Sequence, residues 1–226
     1  MGRVIVAGAG RMITPFPTIS LSSIAEGTIV KIDEEASPVD FYVAKQNYEA
    51  DLNGIGRVLV VRKNCYDDFM WDTRASRLVN WVDSGAYTQL NTTYLTKFSE
   101  KVKSLIGTTS YYATYGLSSG TTNVVETTSA IFLLSTSEYG LIPHVGNVEG
   151  TALPISNLIK TATNDAGTKV AQWTRTRGNS SVGWANYLTI AGAVSGDHTD
   201  EFYYFRPAFT LPSTAKFDPI TLILKG

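Results

Sequence analysis

The chain has 226 residues, 43% of them hydrophobic, with 19 basic side chains against 20 acidic ones. That length and apolar content suffice for one sizeable domain, and a formal charge of −1 excludes a basic field that would collect phosphates, so nucleic acid is not an expected partner. One cysteine, Cys65, and two histidines exclude an internal disulfide and a cysteine-built zinc site, and no cofactor is expected.

Residues 1–25, containing "MGRVIVAGAGRMITPFPTISLSS", are apolar, broken by glycine and proline, and almost uncharged. Such a stretch does not pack on itself, and it reads as a segment that attaches to something else. It has no basic stretch followed by a signal-length apolar run, and nothing approaches the roughly 18 apolar residues of a membrane span, so neither export by the usual route nor membrane insertion is expected. The domain proper is expected over 26–226. "EGTIVKID", "VDFYVAKQNY" and "NGIGRVLVVRK" alternate with period two and predict three strands. Between Trp71 and Ile106 the period turns helical, with Leu95, Phe98, Val102, Leu105 and Ile106 at three- and four-residue steps and Gly107 as the expected C-cap. Strand signals then return in "SYYATYG", "AIFLLST", "TKVAQWTRT", "WANYLTI", "EFYYFRPAF" and "ITLILKG". Two short helices among small antiparallel sheets and long structured loops predict an α+β domain.

Several motifs fail on context. "VIVAGAGRM" starts like a dinucleotide fingerprint, but Ile13 stands where the third glycine belongs, and Pro15 and Pro17 break the helix that would hold a pyrophosphate. "GLSSG" (116–120) has the spacing of a nucleophile elbow at Ser118, with Asp165 or Asp197 and His198 as acid and base, yet "TTNVVETT" follows where a helix must begin. His144 and His198 have no third ligand in a recognisable motif, and Asp197, Asp200 and Glu201 beside His198 lack the calcium-loop pattern. The acceptor triplets at Asn91 and Asn179 carry no weight without secretion. Cys65 in "RKNCYDDF" has no neighbouring base to activate it. An enzyme is therefore not expected.

"FYYFRPAFTL" (202–211) sets Arg206 inside an apolar run, where a charge must reach solvent, a carboxylate or a row of carbonyls. Pro207 limits this strand to one-sided pairing or ends it. Glu138, at the end of "AIFLLSTSEYG", is a candidate partner for Arg206. Upstream, "GNSSVGWANYLTIAGAVSGDHTDEFY" places Trp184, Asn186, Tyr187, His198, Asp200 and Tyr203 among glycines and serines, a mixture suited to recognition: aromatics supply area and small polar residues supply hydrogen bonds. Flat aromatic faces beside Asn and Asp suit sugars.

"LNTTYL", "IFLLSTSEYG", "QWTRTR" and "FRPAFTL", in this order, resemble a bacterial and phage family of uncharacterised domains that closes on an RPAF motif; the likeness covers about residues 26–217. That family is similar to the C-type-lectin-like fold, to formylglycine-generating enzymes and to the variable proteins of diversity-generating retroelements. The resemblance implies scaffold roles for Trp173, Arg175, Arg206, Pro207 and Phe209, with Arg206 anchoring the loops from beneath, and a ligand-contacting face from Asn179 to Tyr203. Thr176 and Arg177 replace the family's serine-proline, and Cys65 alone cannot reproduce a two-cysteine active site. The leading segments "EGTIVKIDEEASPVDFYVAK" and "GRVLVVRKNCYD" look like members encoded among phage and prophage structural genes. This implies a virion component, made in the bacterial cytoplasm. It would be joined to other virion proteins through its N-terminus, displayed as a homo-oligomer or multi-copy array, and bind a host-surface glycan or protein. A decoration protein that stabilises the particle is the alternative.

Overall fold

The computed structural model describes residues 17–74, 79–116, 122–143, 147–178 and 183–225. The structure is mostly β, 41% strand against 16% helix, with several sheets in a sandwich-like arrangement. The expectation of an α+β, C-type-lectin-like domain is thereby overturned. Among the described residues no helix exceeds seven residues, and none is long and apolar enough to cross a membrane.

The three leading strand signals become Ile29–Glu34, Ser37–Lys45 and Arg57–Arg62. In the first, Val30, Ile32 and Glu34 are buried and the alternate residues half-buried, as period two demands. Pro207–Pro212 and Phe132–Leu133 complete a five-stranded antiparallel sheet. Its middle strands, "RVLVVR" and "PAFTLP", are buried along almost their whole length. Phe209 lies at the centre of the packing, with ring centroids 5.3 Å from both Phe41 and Phe98.

A second sheet runs in the order Val194–His198, Trp184–Leu188, Gln172–Arg177, Phe202–Tyr204, Asp68–Met70. "FYYFRPAFTL" is therefore two strands, Phe202–Tyr204 in one sheet and Pro207–Pro212 in the other, with Phe205 and Arg206 at the crossing. Pro207 opens its strand, where a missing N–H does least harm. A long hairpin, Thr109–Gly116 with Thr122–Ser129, packs beside the two sheets.

The helical period over 95–106 resolves into short pieces: a 3-10 turn Tyr94–Lys97 and a helix Glu100–Leu105, after the helix Gly85–Asn91. Phe98 is extended (φ −88°, ψ 143°), and the Ser99 side chain accepts from Val102 N to start a new helix. The apolar spacing is satisfied by packing on the first sheet rather than by one continuous helix. Gly107 is not the cap; the helix closes on Ile106 at φ −70°, ψ 106°.

Of the expected attachment segment, residues 1–16 lie outside the described residues, and the rest is fixed to this domain. Ile19–Ser20 pairs with Lys216–Phe217, which pairs with Leu224–Lys225, and Leu21 and Ile24 are buried.

The turn joining the first two strands consists of Glu35 and Ala36, both left-handed (φ 49° and 63°), while Glu34 pairs with Ser37. This is the two-residue reverse turn that glycine and asparagine favour, and a Cβ there costs about 1–2 kcal/mol. Ala36→Gly is expected to stabilise the protein by roughly 0.5–1 kcal/mol after glycine's added chain entropy, read as a higher urea midpoint at unchanged slope; a lower midpoint overturns this account of the turn.

Candidate binding site

The proposed ligand-contacting residues do not share one face. On Trp184–Leu188 the side chains alternate. Tyr187 points with Trp173 and Tyr203 to one side, where the two tyrosines stack at 4.1 Å and Trp173 meets Tyr203 edge-on at 4.8 Å. Tyr203 donates its hydroxyl to Asp197 Oδ2 at 2.7 Å, and burial, followed by that carboxylate, drives the phenol far above its ordinary range. Trp184 and Asn186 take the other side. Trp184 is half-buried, paired across the strands with exposed His198, ring centroids 4.8 Å apart. Asn186 is fully buried and cannot touch a ligand. Asp200 is exposed in the following turn, and Asn179 lies outside the described residues.

The anchors are better gathered, though not as paired in the sequence. Arg206 finds no carboxylate: it donates to Ile159 O (2.5 Å), Lys63 O (2.7 Å) and Thr161 O (3.2 Å), so a row of carbonyls holds it and it pins the 159–161 segment rather than 179–203. Glu138 instead pairs with Arg175, Nη1 to Oε2 at 2.5 Å, both fully buried. Arg175 also donates to Tyr112 O and Leu133 O, each at 2.9 Å, and lies over the Tyr111 ring at 4.8 Å. Burial alone would depress this guanidinium, but the charges of Glu138 and Glu149 hold it far up. Trp173 is buried and donates its indole N–H to Phe69 O at 3.0 Å.

Beside this pair lies an acid-rich pocket that the sequence reading missed. Glu149 is fully buried, accepts from Thr114 N (2.6 Å) and the Thr176 hydroxyl (2.8 Å), and sits 3.9 Å from Arg175 Nε; burial pushes its carboxyl up. The Tyr48 hydroxyl donates to Glu138 at 2.5 Å. Next in sequence, Glu49 is 7% exposed and its Oε1 accepts no hydrogen bond, with Lys45 Nζ 3.7 Å away. Glu49 lines a cavity of about 580 Å³ together with Lys45, Asp51, Tyr112, Val148 and Gly150. The sequence signal was faint, an acidic pair in "NYEAD" between a strand and a turn.

The catalytic alternatives lie only in part among the described residues. Asp165 is bound to Arg62, Asp197 to Tyr203 and to its neighbour's amide, and Ser118 and His144 lie outside the described residues. Cys65 is buried, and burial raises its thiol to about 11, too high for a nucleophile. Among the described residues no three His, Cys, Asp or Glu side chains gather as metal ligands.

Residues 55–213, more than two thirds of the chain, match the family model described as a domain of unknown function, DUF6273. The chain belongs to that family. No curated protein and no solved structure matches it. The family domain holds Arg62, Arg175, Arg206, Glu138 and Glu149, while Lys45 and Glu49 precede its first matched residue.

Arg175→Met leaves Glu138 and Glu149 buried without their countercharge and is expected to cost about 3–5 kcal/mol in urea unfolding; adding Glu138→Gln should recover part of it, and additive losses would deny the pairing. Glu49 gives a pH signature. Burial first, then the charge of Glu138, raises its carboxyl above the ordinary 4.5. Below the ordinary value the group is neutral in both states and contributes nothing. Above it the unfolded chain releases the proton while the folded chain still holds it, so stability falls as pH rises to the folded value and stays reduced beyond. The melting temperature of Glu49→Gln relative to the parent should therefore climb as pH rises from about 4 to 7. A gap that shrinks with rising pH overturns this.

Proposed function

We propose that this chain is a non-catalytic, virion-associated recognition module of a phage, carried in many copies and binding a saccharide on the host surface. Its phage origin rests on the likeness of the leading segments to phage and prophage structural members, and its attachment on the apolar, almost uncharged run at the N-terminus. The recognition role rests on one surface: the exposed His198 ring beside half-buried Trp184, with exposed Asp200 in the adjoining turn. A sugar offers apolar C–H faces to such rings and hydroxyl donors to such a carboxylate. Binding at one shallow surface of this kind is weak, and display in many copies raises avidity by roughly 10²–10⁴. The residues that carry contact are thus His198, Trp184 and Asp200, whereas Tyr187 and Tyr203 brace the sheet behind them.

The test is retention of the labelled protein, clustered on a multivalent carrier, on candidate host bacteria. His198→Ala with Asp200→Ala alters only exposed side chains, so folding is kept, and Trp184→Ala is read beside it with circular dichroism as the control. We expect retention of the parent and a loss of roughly tenfold or more in both variants. Equal retention of parent and variants removes the assignment of this surface, and absence of retention on any host moves the reading to a particle-stabilising decoration protein.

A further inference from the structure

Glu49 Oε1 is buried beside the cavity without a hydrogen-bond donor. The residue stands at the start of the short helix Ala50–Asn53, and its side chain makes no cap there. Its backbone is left-handed (φ 43°, ψ 60°), as is that of Asn47 two residues earlier (φ 50°). Each such non-glycine conformation costs of order 1–3 kcal/mol, so the surrounding structure holds the carboxylate in place against local preference. Lys45 meets it as an ion pair at 3.7 Å without a hydrogen bond, and donates to the Thr151 hydroxyl at 3.0 Å.

The adjoining wall is equally specific. Gly150, at φ 81°, admits no ordinary side chain, and a Cβ there would come within 3.2 Å of Glu49 Oε1 and 3.6 Å of Glu138 Oε1. The cavity thereby stays open against the carboxylate. Its volume of about 580 Å³ is in the range of small-molecule sites. Asp51 adds a second negative charge, with the Tyr112 hydroxyl 3.3 Å from it, and Val148, 68% exposed, supplies an apolar lip. Two carboxylates against one lysine favour a cation, while the buried acids Glu138 and Glu149 behind them are countered by Arg175. Hydroxyl-bearing walls with an apolar lip favour a hydroxylated carbon frame over a bare alkyl chain.

We infer that this cavity binds a protonated amino sugar, its ammonium completing the hydrogen bonding of Glu49 and its hydroxyls meeting Asp51 and Tyr112. The site is separate from the His198 surface, since no lining residue comes from 183–203, and it stands whether or not that surface binds host saccharide.

Isothermal titration of the full chain with glucosamine, N-acetylglucosamine and glucose tests it. Glucosamine should bind, and the two uncharged sugars should bind roughly tenfold or more weakly, because a charge-assisted hydrogen bond is lost. Glu49→Gln should weaken glucosamine by roughly tenfold or more at unchanged circular dichroism. Val148→Trp, at an exposed position that cannot disturb the core, should do the same by filling the mouth. No heat with glucosamine at tens of millimolar, equal affinity for N-acetylglucosamine, or unchanged glucosamine affinity in both variants overturns the inference. His198→Ala should leave the titration unaltered, which separates failure here from failure of the host-binding surface.

Discussion

A guanidinium with no access to water sits where the two sheets and the long hairpin meet, and the architecture depends on it. Arg175 leaves the second sheet on Gln172–Arg177, takes the carbonyl of Leu133 from the first sheet and of Tyr112 from the hairpin, and closes on Glu138. A buried charge of this kind tolerates no loss of partners, because each missing one leaves several kcal/mol of uncompensated desolvation. The three β units are therefore held in one mutual arrangement, where apolar packing alone would accept neighbouring ones. The stacked rings of Tyr111 and Phe132, 4.5 Å apart, form a flat floor under the guanidinium that an alkylammonium could not use equally well.

Two further buried arginines meet the same requirement by different chemistry. Arg62 is clasped by carboxylates, Glu34 on one side (3.0 and 3.1 Å) and Asp165 on the other (3.0 and 2.9 Å), and Tyr94 donates to the same Glu34. Arg206 relies on carbonyls alone. Its place explains the choice. At the crossing Phe205 still bonds to the backbone of Asp67 and Tyr66, and the loop carbonyls of Ile159 and Thr161 beside it accept from side chains. Arg206 donates to them through its two terminal nitrogens, tying the strand switch to the 159–161 segment.

Where local pattern and burial agree, the sequence is transparent. The alternation of "EGTIVKID" and the apolar runs "RVLVVR" and "PAFTL" pass into strands with little change. "QWTRTR" is opaque for the opposite reason: every residue of Gln172–Arg177 is buried although five of six are polar or charged. Several of those side chains bond to distant partners, such as Thr176 to Glu149, 27 residues away, and Arg175 to Tyr112, 63 away, and no local rule reveals a distant partner. The helical period over 95–106 misled for a related reason, since apolar side chains at three- and four-residue steps serve a broken chain lying on a sheet as well as a helix. The ligand segment suffered from period two itself: Trp184 and Tyr187 are close in sequence but on opposite faces, and only strand assignment separates them. Glu49 left almost no trace, because its role is set by a left-handed backbone that the sequence does not announce.

The two candidate surfaces differ in how far they depart from local preference. Around Tyr187, Tyr203 and Trp173 every rule is obeyed: cross-strand aromatics stack, the phenol has its carboxylate, and the sheet continues. Around Glu49 the departures accumulate within a few residues, with two left-handed non-glycine residues, a carboxylate without a donor, and a glycine where a side chain would close the space. A folded chain tolerates such a concentration of cost only where something other than stability holds it, and rigid arms exist here to do so, since Tyr48 is tied to Glu138 and Glu138 to Arg175. The interaction that fixes the sheets thus also fixes the wall of the cavity. Its acidic side chains, countered in part by Lys45 and Arg175, lie behind a rigid surface that cannot relax away from them.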